Sequence, residues 1–192
     1  MSILKVDAIR HNSATSDAIT TAADGSCTAR ITGMTGGGGL SHRNKIINGA
    51  MTVSQYNGTS VVTGVNSNGY RIDRWTHQCA SINSAFSVSQ STDSPDGFGN
   101  SYKIDVTTAD TSIAASQYLQ ISQRIEGQNL QDLAFGTSSA KTIIVSFYVR
   151  SNKTGNYVLT IQQADNSYKQ VSQAYTINSA DTWERKTLSF GG

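Results

Sequence analysis

A run of four glycines lies within Gly33-Met34-Thr35-Gly36-Gly37-Gly38-Gly39-Leu40, and glycine-rich loops can cradle phosphates. A P-loop requires GxxxxGK followed by Ser or Thr, and a dinucleotide-binding loop requires GxGxxG between a strand and a helix. Neither pattern occurs, because the nearest lysine, Lys45, is followed by Ile46. Consecutive glycines are costly to order. We therefore predict that the four glycines form a hinge and not a nucleotide site.

The titratable side chains do not form a known catalytic motif. The three histidines, His11, His42 and His77, are scattered, and none belongs to an HExxH, GxSxG or Cys-His pattern. Most of the 13 Asp and Glu residues stand singly in predicted turns or at strand ends. A glycosidase could still bring two carboxylates together from distant strands, but no spacing favours this. The sequence therefore predicts a protein that is not an enzyme and has no cofactor.

Metal-binding patterns are equally weak. Cys27 and Cys79 lie in no CxxC or CxxH arrangement, so we predict two unpaired thiols without a zinc site. A loop offers Asp93, Asp96 and Asn100 as oxygen ligands of the kind that calcium prefers. The spacing does not match an EF-hand, and Asp and Asn are common in tight turns for backbone reasons. No metal site is predicted, although calcium at this loop stays open.

Aromatic side chains could bind sugars, because sugar rings stack on Trp and Tyr while polar groups hold their edges. Trp75 and Trp183 lie in predicted strands beside Arg74 and Glu184, which makes them candidates for glycan stacking. The alternative is that both rings pack in the core or at the rim of a sheet, which is favoured in a domain with only two tryptophans. An exposed pair of rings on a concave face would support glycan binding.

Composition excludes several other classes of function. Charged residues make up 15% of the chain, against about 25% in average domains. The net charge of +2 includes no run of lysines or arginines, so a nucleic-acid partner is not predicted. No stretch is long and apolar enough for a membrane span, and the segment MSILKVDAIRHNS lacks the apolar core of a signal peptide. We expect the chain to be assembled in the cytoplasm of the producing cell.

Short strands must position these side chains, because alternating apolar residues recur between turn signals after residue 43. One short helix is predicted at residues 129–133, capped by Asn129 and stopped by Gly136. Many short strands with at most one helix favour an all-β fold, an antiparallel β-sandwich of the jelly-roll type. The strands are predicted at residues 45–48, 52–56, 70–75, 82–90, 102–106, 118–125, 142–150, 157–162, 171–177 and 183–190.

The chain is predicted to divide into an N-terminal arm (1–32), a glycine-rich hinge (33–42) and a jelly-roll domain (43–192). The short apolar runs of the arm cannot close a core alone, because an isolated pair of strands is marginal in water. The arm is therefore either disordered or paired with a second copy or a larger assembly. The chain stops at Phe190-Gly191-Gly192, directly after a predicted strand, so we expect the domain to continue beyond it.

Five segments of the predicted jelly roll resemble, in order and spacing, a block found in tail-fibre and related fibre proteins of tailed bacteriophages. The resemblance covers roughly residues 40 to 190. The segment Ile3-Leu4-Lys5-Val6-Asp7-Ala8-Ile9 is similar to the N-terminal arms by which such fibres join the virion. The five segments are RNKIINGAM (43–51), DRW (73–75), QSTDSPDGF (90–98), QRIEGQ (123–128) and SFYVRSNKTG (146–155).

The resemblance implies a carbohydrate-binding-module-like jelly roll in a homotrimeric structural protein of the virion. It implies that Leu4, Val6 and Ile9 dock on another virion protein, of the tail or the portal vertex, and that the jelly roll attaches to the host surface, where a glycan is a candidate partner. The glycine run would be a joint, with an ordinary disordered linker as the alternative. Two rival functions stay open: a free-standing carbohydrate-binding module of an adhesin or enzyme, and a depolymerase tailspike.

Overall fold

The computed structural model describes residues 6–13, 15–29, 44–65, 67–80, 82–165 and 167–192, in two compact units, Met1–Asn44 and Lys45–Gly192. Leu4 and the four predicted hinge glycines lie outside the described residues. The regular structure of both units consists of antiparallel strands and one short helix, so the predicted all-β class is confirmed. No helix in the described ranges is long and apolar enough to cross a membrane.

The first unit contains a small antiparallel sheet of three strands, β1 (Ala8–Ile9), β2 (Ile19–Thr21) and β3 (Cys27–Ala29), in the order β1-β2-β3. Gly25 turns the chain between β2 and β3 with a φ of 86°, and Ser26 donates its N–H to the Asp24 carboxylate at 2.8 Å. Val6 is 45% exposed and Ile9 is 55% exposed. The strands are therefore too short to bury these two apolar side chains against their own sheet.

The second unit begins with two three-stranded antiparallel sheets, ordered β4-β7-β8 and β5-β6-β9. Their facing side chains form a core in which Val65, Phe86 and Val88 of one sheet pack with Cys79 of the other. This arrangement is sandwich-like. The strands are β4 (Val62–Val65), β5 (Gly69–Ile72), β6 (Trp75–Ala80), β7 (Ala85–Ser91), β8 (Ser101–Thr108) and β9 (Tyr118–Gln123).

The remaining strands form two antiparallel hairpin-like pairs, β10 with β13 and β11 with β12. The Phe147 ring of β10 meets the Tyr175 ring of β12 edge-on, with centroids 5.0 Å apart. Tyr175 also stacks on Tyr157 of its own sheet at 5.9 Å, so aromatic contacts join the two pairs. The bounds are β10 (Ile143–Val149), β11 (Gly155–Gln163), β12 (Lys169–Ile177) and β13 (Glu184–Phe190).

The strands predicted at residues 45–48 and 52–56 are wrong, because both segments are turns and irregular backbone. Asn48 and Met51 have φ values of 53° and 55°, which lie in the left-handed region, far from the negative φ of a regular strand. The strand predicted at residues 70–75 is two strands: Asp73 and Arg74 form a tight turn between β5 and β6, with Arg74 at a φ of 71°. Strand β4 is not among the predicted strands.

The predicted short helix exists but differs in type and ends. It is a 3₁₀ helix at Gly127–Leu133 whose N-cap residue is Glu126. Asn129 does not cap it, because the Asn129 amide donates to the Glu126 carboxylate at 3.2 Å instead. The helix ends at Leu133, and its C-cap residue is Ala134, which takes a left-handed conformation two residues before the predicted Gly136.

Candidate functional site

Asn48 holds the irregular segment at residues 44–58 against the turn between β5 and β6. Its side-chain N–H donates to the main-chain carbonyls of Val53 at 2.8 Å and Asp73 at 2.9 Å, and its side-chain oxygen accepts from Val53 N at 3.1 Å. The indole N–H of Trp75 donates to the carbonyl of Asn48 at 3.0 Å. The predicted glycan candidate Trp75 is therefore half-buried and hydrogen-bonded within its own domain.

Strand β9 closes this cluster from the other side. The Gln123 side chain forms two hydrogen bonds with the backbone of Ile47. Its amide oxygen accepts from the Ile47 N–H at 2.8 Å, and its amide N–H₂ donates to the Ile47 carbonyl at 2.7 Å. Gln55 N donates to the Asp73 carboxylate at 2.6 Å. We call Asn48, Asp73, Trp75 and Gln123 the Asn48 clasp. It brings together residues of three segments that are separate in the sequence.

A second cluster fixes the loop after β7. Asp93 accepts from the indole N–H of Trp183 at 3.1 Å through one carboxylate oxygen and from the guanidinium of Arg150 through the other. The Asp93 carbonyl also accepts from the Ser101 hydroxyl at 2.6 Å, and Phe98 packs against Tyr148 at 5.6 Å between ring centroids. We call Asp93, Arg150 and Trp183 the Asp93 clasp. It joins the loop to β10 and to the start of β13.

The Asp93 clasp also bears on the calcium alternative. Both Asp93 carboxylate oxygens are already hydrogen-bonded to protein donors. In the described ranges no group of three or more His, Cys, Asp or Glu residues could hold a metal ion. Trp183 is half-buried in this clasp, and its donors and acceptors differ from those around Trp75. The two tryptophans therefore act in separate clusters and do not form one stacking platform.

The general acid of a glycosidase is a carboxyl whose pKa is raised. The shifts in pKa found among the described carboxyl groups are downward instead. The ammonium of Lys186 and the backbone N–H groups of Ser179 and Asn178 lower the pKa of Glu184 to about 2. Bonds from Arg74 lower the pKa of Glu126, and bonds from Lys45 lower that of Asp132. These carboxylates are partners in structural bonds.

His77 is buried in the core and has structural partners on both ring nitrogens. Nε2 lies 2.8 Å from the carbonyl of Ser67, and Nδ1 lies 3.3 Å from the hydroxyl of Tyr102. Its ring meets Phe86 edge-on at 5.5 Å between centroids. Burial lowers the pKa of His77 and raises the pKa of Tyr102, so the neutral forms of both are favoured.

A shallow depression on the β5-β6-β9 sheet is the best candidate for binding a ligand. Its volume is about 320 Å³, and its lining consists of Asn68, Gly69, Tyr70, Thr76, Gln78 and Arg124. Tyr70 is 56% exposed. Arg124 is exposed and has no hydrogen bond or ion pair within the described part of the chain.

A second depression of about 190 Å³ adjoins Tyr70 and is also lined by Tyr56, which is 85% exposed. Arg71, Asp73 and Arg74 contribute to its lining. Two exposed aromatic side chains thus share a concave surface, but they are not the tryptophans singled out by the sequence. The sequence analysis places both tyrosines in predicted strands, at residues 52–56 and 70–75, and singles out neither of them.

Comparison of the chain with models of protein families, with curated proteins and with solved structures finds no match. What the chain can do is therefore inferred from its own residues.

Proposed function

We propose that this chain is part of a structural virion protein, a bacteriophage tail fibre or related fibre, whose jelly-roll domain attaches to the host surface. The observation that carries the proposal is the Asn48 clasp. It unites Asn48, Asp73, Trp75 and Gln123, which belong to three of the sequence segments that resemble phage fibres. These segments therefore act together as the framework of one domain, as expected if they belong to a single inherited block.

The arm supports the anchoring part of the proposal. Ile9 in β1 and Val6 just before it stay exposed, and the strands of this sheet are only two and three residues long. Apolar side chains on so small a sheet are stabilised when another surface covers them. We propose that Leu4, Val6 and Ile9 dock on a tail or portal-vertex protein and that three copies of the chain assemble. The glycine run then joins this anchor to the outer domain.

Incorporation into particles tests the anchor. Replacing Leu4 and Val6 together by Asp should leave the Lys45–Gly192 unit folded, as measured by circular dichroism, and should abolish incorporation of the protein into virions. The matched control replaces Asn12 and Ser13 together by Asp, which adds the same two charges at exposed polar positions of the arm and should not affect incorporation. Normal incorporation of the Leu4 and Val6 variant would refute the anchor role.

One observation favours a rival from another class. The exposed Tyr56 and Tyr70 share a concave surface, and this is also expected of a free-standing carbohydrate-binding module in an adhesin or enzyme. The two functions differ in assembly, because a binding module acts as a monomer beside another domain. A depolymerase tailspike would in addition require paired carboxylates in a groove between subunits.

A further inference from the structure

We propose that the surface around Tyr56, Tyr70 and Arg124 binds acidic saccharides, meaning sugar chains that carry carboxylate or phosphate groups. The site comprises the two depressions that meet at Tyr70. This inference rests on the proposed role in host-surface attachment and names the site and the ligand class for it.

The two tyrosines give the site its affinity for sugar rings. Tyr56 is 85% exposed and Tyr70 is 56% exposed, and neither hydroxyl has a hydrogen-bond partner among the described residues. Sugars present one apolar face to an aromatic ring and their hydroxyls to polar groups at the rim. Because Tyr70 borders both depressions, a saccharide of more than one ring can lie across it.

The polar groups in the larger depression are mainly hydrogen-bond donors. The side-chain oxygen of Gln78 already accepts from Gln120 at 2.5 Å, and the side-chain oxygen of Asn68 accepts from Cys79 N at 2.8 Å. The amide N–H₂ groups of Gln78 and Asn68 donate to no other described residue, so they are available to a ligand. A surface with satisfied acceptors and unused donors favours ligands rich in acceptor oxygens.

The charged side chains that line the two depressions favour the binding of acidic over neutral sugars. The larger depression is lined by Arg124 and by no carboxylate. At the smaller depression, the Asp73 carboxylate accepts from Gln55 N, while Arg74 is paired with Glu126 at 2.8 Å. Arg124 is thus a cation without a carboxylate partner in the described ranges, and a guanidinium favours carboxylate or phosphate by two parallel hydrogen bonds.

Saturation-transfer difference NMR on the full chain tests the site. The probes are oligogalacturonate, sialyl-lactose and mannose phosphate, each beside its neutral counterpart: the methyl ester of oligogalacturonate, lactose and mannose. Inorganic phosphate is the probe for an anion without a sugar. At least one acidic probe should bind about tenfold more tightly than its neutral counterpart, as expected for one charge-assisted hydrogen-bonded pair.

Variants assign the binding to named residues. Arg124→Gln should reduce the affinity for the acidic probe to that for the neutral one, and Tyr70→Ala should abolish both. Tyr56→Ala is an independent test on the second depression and should weaken binding of the longer saccharides. The matched controls, Tyr168→Ala and Arg185→Gln, replace exposed residues outside the depressions and should leave binding unchanged. Equal melting temperatures check that each variant is folded.

Three results with the native chain would overturn the proposal: no binding of any probe, equal binding of acidic and neutral probes, or inorganic phosphate binding as tightly as the acidic saccharides. Unchanged binding by folded Tyr70→Ala would also overturn it. These outcomes are separate from the fate of the fibre proposal. A trimeric chain without saccharide binding would refute only the site, whereas a monomeric chain that binds acidic sugars through Tyr70 would refute only the fibre role.

Discussion

Asn48 shows how one side chain decides the path of a whole segment. Its φ of 53° lies in the left-handed region, where Asn is tolerated and most other residues are strained. Its amide satisfies both main-chain groups of Val53 and the carbonyl of Asp73. The apolar residues Ile46 and Ile47 would otherwise suit a strand, and the clasp is what holds this segment in a turn.

Replacing Asn48 by Ala should lower the free energy of unfolding by about 3 kcal/mol, because three hydrogen bonds are lost and Ala is strained at this φ. Asn48→Gly keeps the backbone unstrained and should cost about 2 kcal/mol. The control, Asn152→Ala, changes an exposed Asn and should shift stability by less than about 0.5 kcal/mol. Urea denaturation measures all three. Equal stabilities of the Asn48→Ala and Asn152→Ala variants would contradict the clasp.

His77 should make the stability of the domain depend on pH. Burial, and then the positive charge of Arg71, lower the pKa of His77 below its ordinary value of 6.5 in the folded state. The unfolded chain therefore takes up the proton first, and stability that is complete above pH 6.5 is lost as the pH falls below it. The hydroxyl of Tyr102 faces the same ring and stays neutral throughout this range.

The measurement is the free energy of unfolding at several pH values between about pH 7 and about pH 5. The native chain should lose stability over this interval. His77→Gln carries a neutral side chain at every pH, so it should be less stable at pH 7 but should lose less on acidification. Parallel pH profiles of the two proteins would contradict a buried neutral His77.

At the scale of elements, the Asp93 clasp connects the loop after β7 to the β10-β13 pair, with which β7 shares no backbone ladder. The loop after β7 reaches β10 through Arg150 and the start of β13 through Trp183. These bonds lie near the Val149 and Glu184 pair, where the β10-β13 ladder ends. The loop therefore closes one end of that hairpin-like pair.

Asp93→Ala should lower the free energy of unfolding by about 1 kcal/mol, because the partners are only partly buried. Its local effect should be larger: amide hydrogen exchange near Val149 and Glu184 should accelerate as that end of the ladder frays. Asp96→Ala is the matched control, since it removes an exposed carboxylate from the same loop. Equal exchange in the two variants would mean that the loop does not hold the strands.

Local patterns predict the later elements well and the earlier ones poorly. The predictions at residues 142–150 and 183–190 nearly coincide with β10 and β13, because alternation with period two is a property of each strand alone. The failure at residues 45–56 has a nonlocal cause. Gln123 lies 76 residues from Ile47, and Asn48 lies 25 residues from Asp73, and no local spacing reveals such bonds.

The same distinction applies to the candidate site. Residue type alone singles out the two tryptophans as candidates for glycan stacking. Their rings are half-buried and hydrogen-bonded, which fits the alternative that they pack at the rim of a sheet. Tyr56 and Tyr70 could not be chosen over other tyrosines, because their exposure depends on the turns that flank them. No pattern in the sequence singles out Arg124, because its lack of a partner among the described residues depends on how the chain folds around it.

At the scale of the whole chain, many apolar side chains of the described residues are exposed. Ile144 of β10 and Val158 of β11 are more than 60% exposed, as are Tyr56, Ile113 and Tyr168. Large exposed apolar area is costly in a monomer and is often covered in assemblies. Together with the uncovered Val6 and Ile9 of the arm, these side chains offer surface for contacts between copies of the chain once the arm brings the copies together.

The mass of the protein in solution, measured by light scattering behind a sizing column, tests the central claim most directly. The full chain is compared with residues 45–192, which form a compact unit of their own. If the arm assembles a fibre, the full chain should have the mass of a trimer and residues 45–192 should have that of a monomer. Two monomers would contradict the fibre proposal and favour a free-standing binding module.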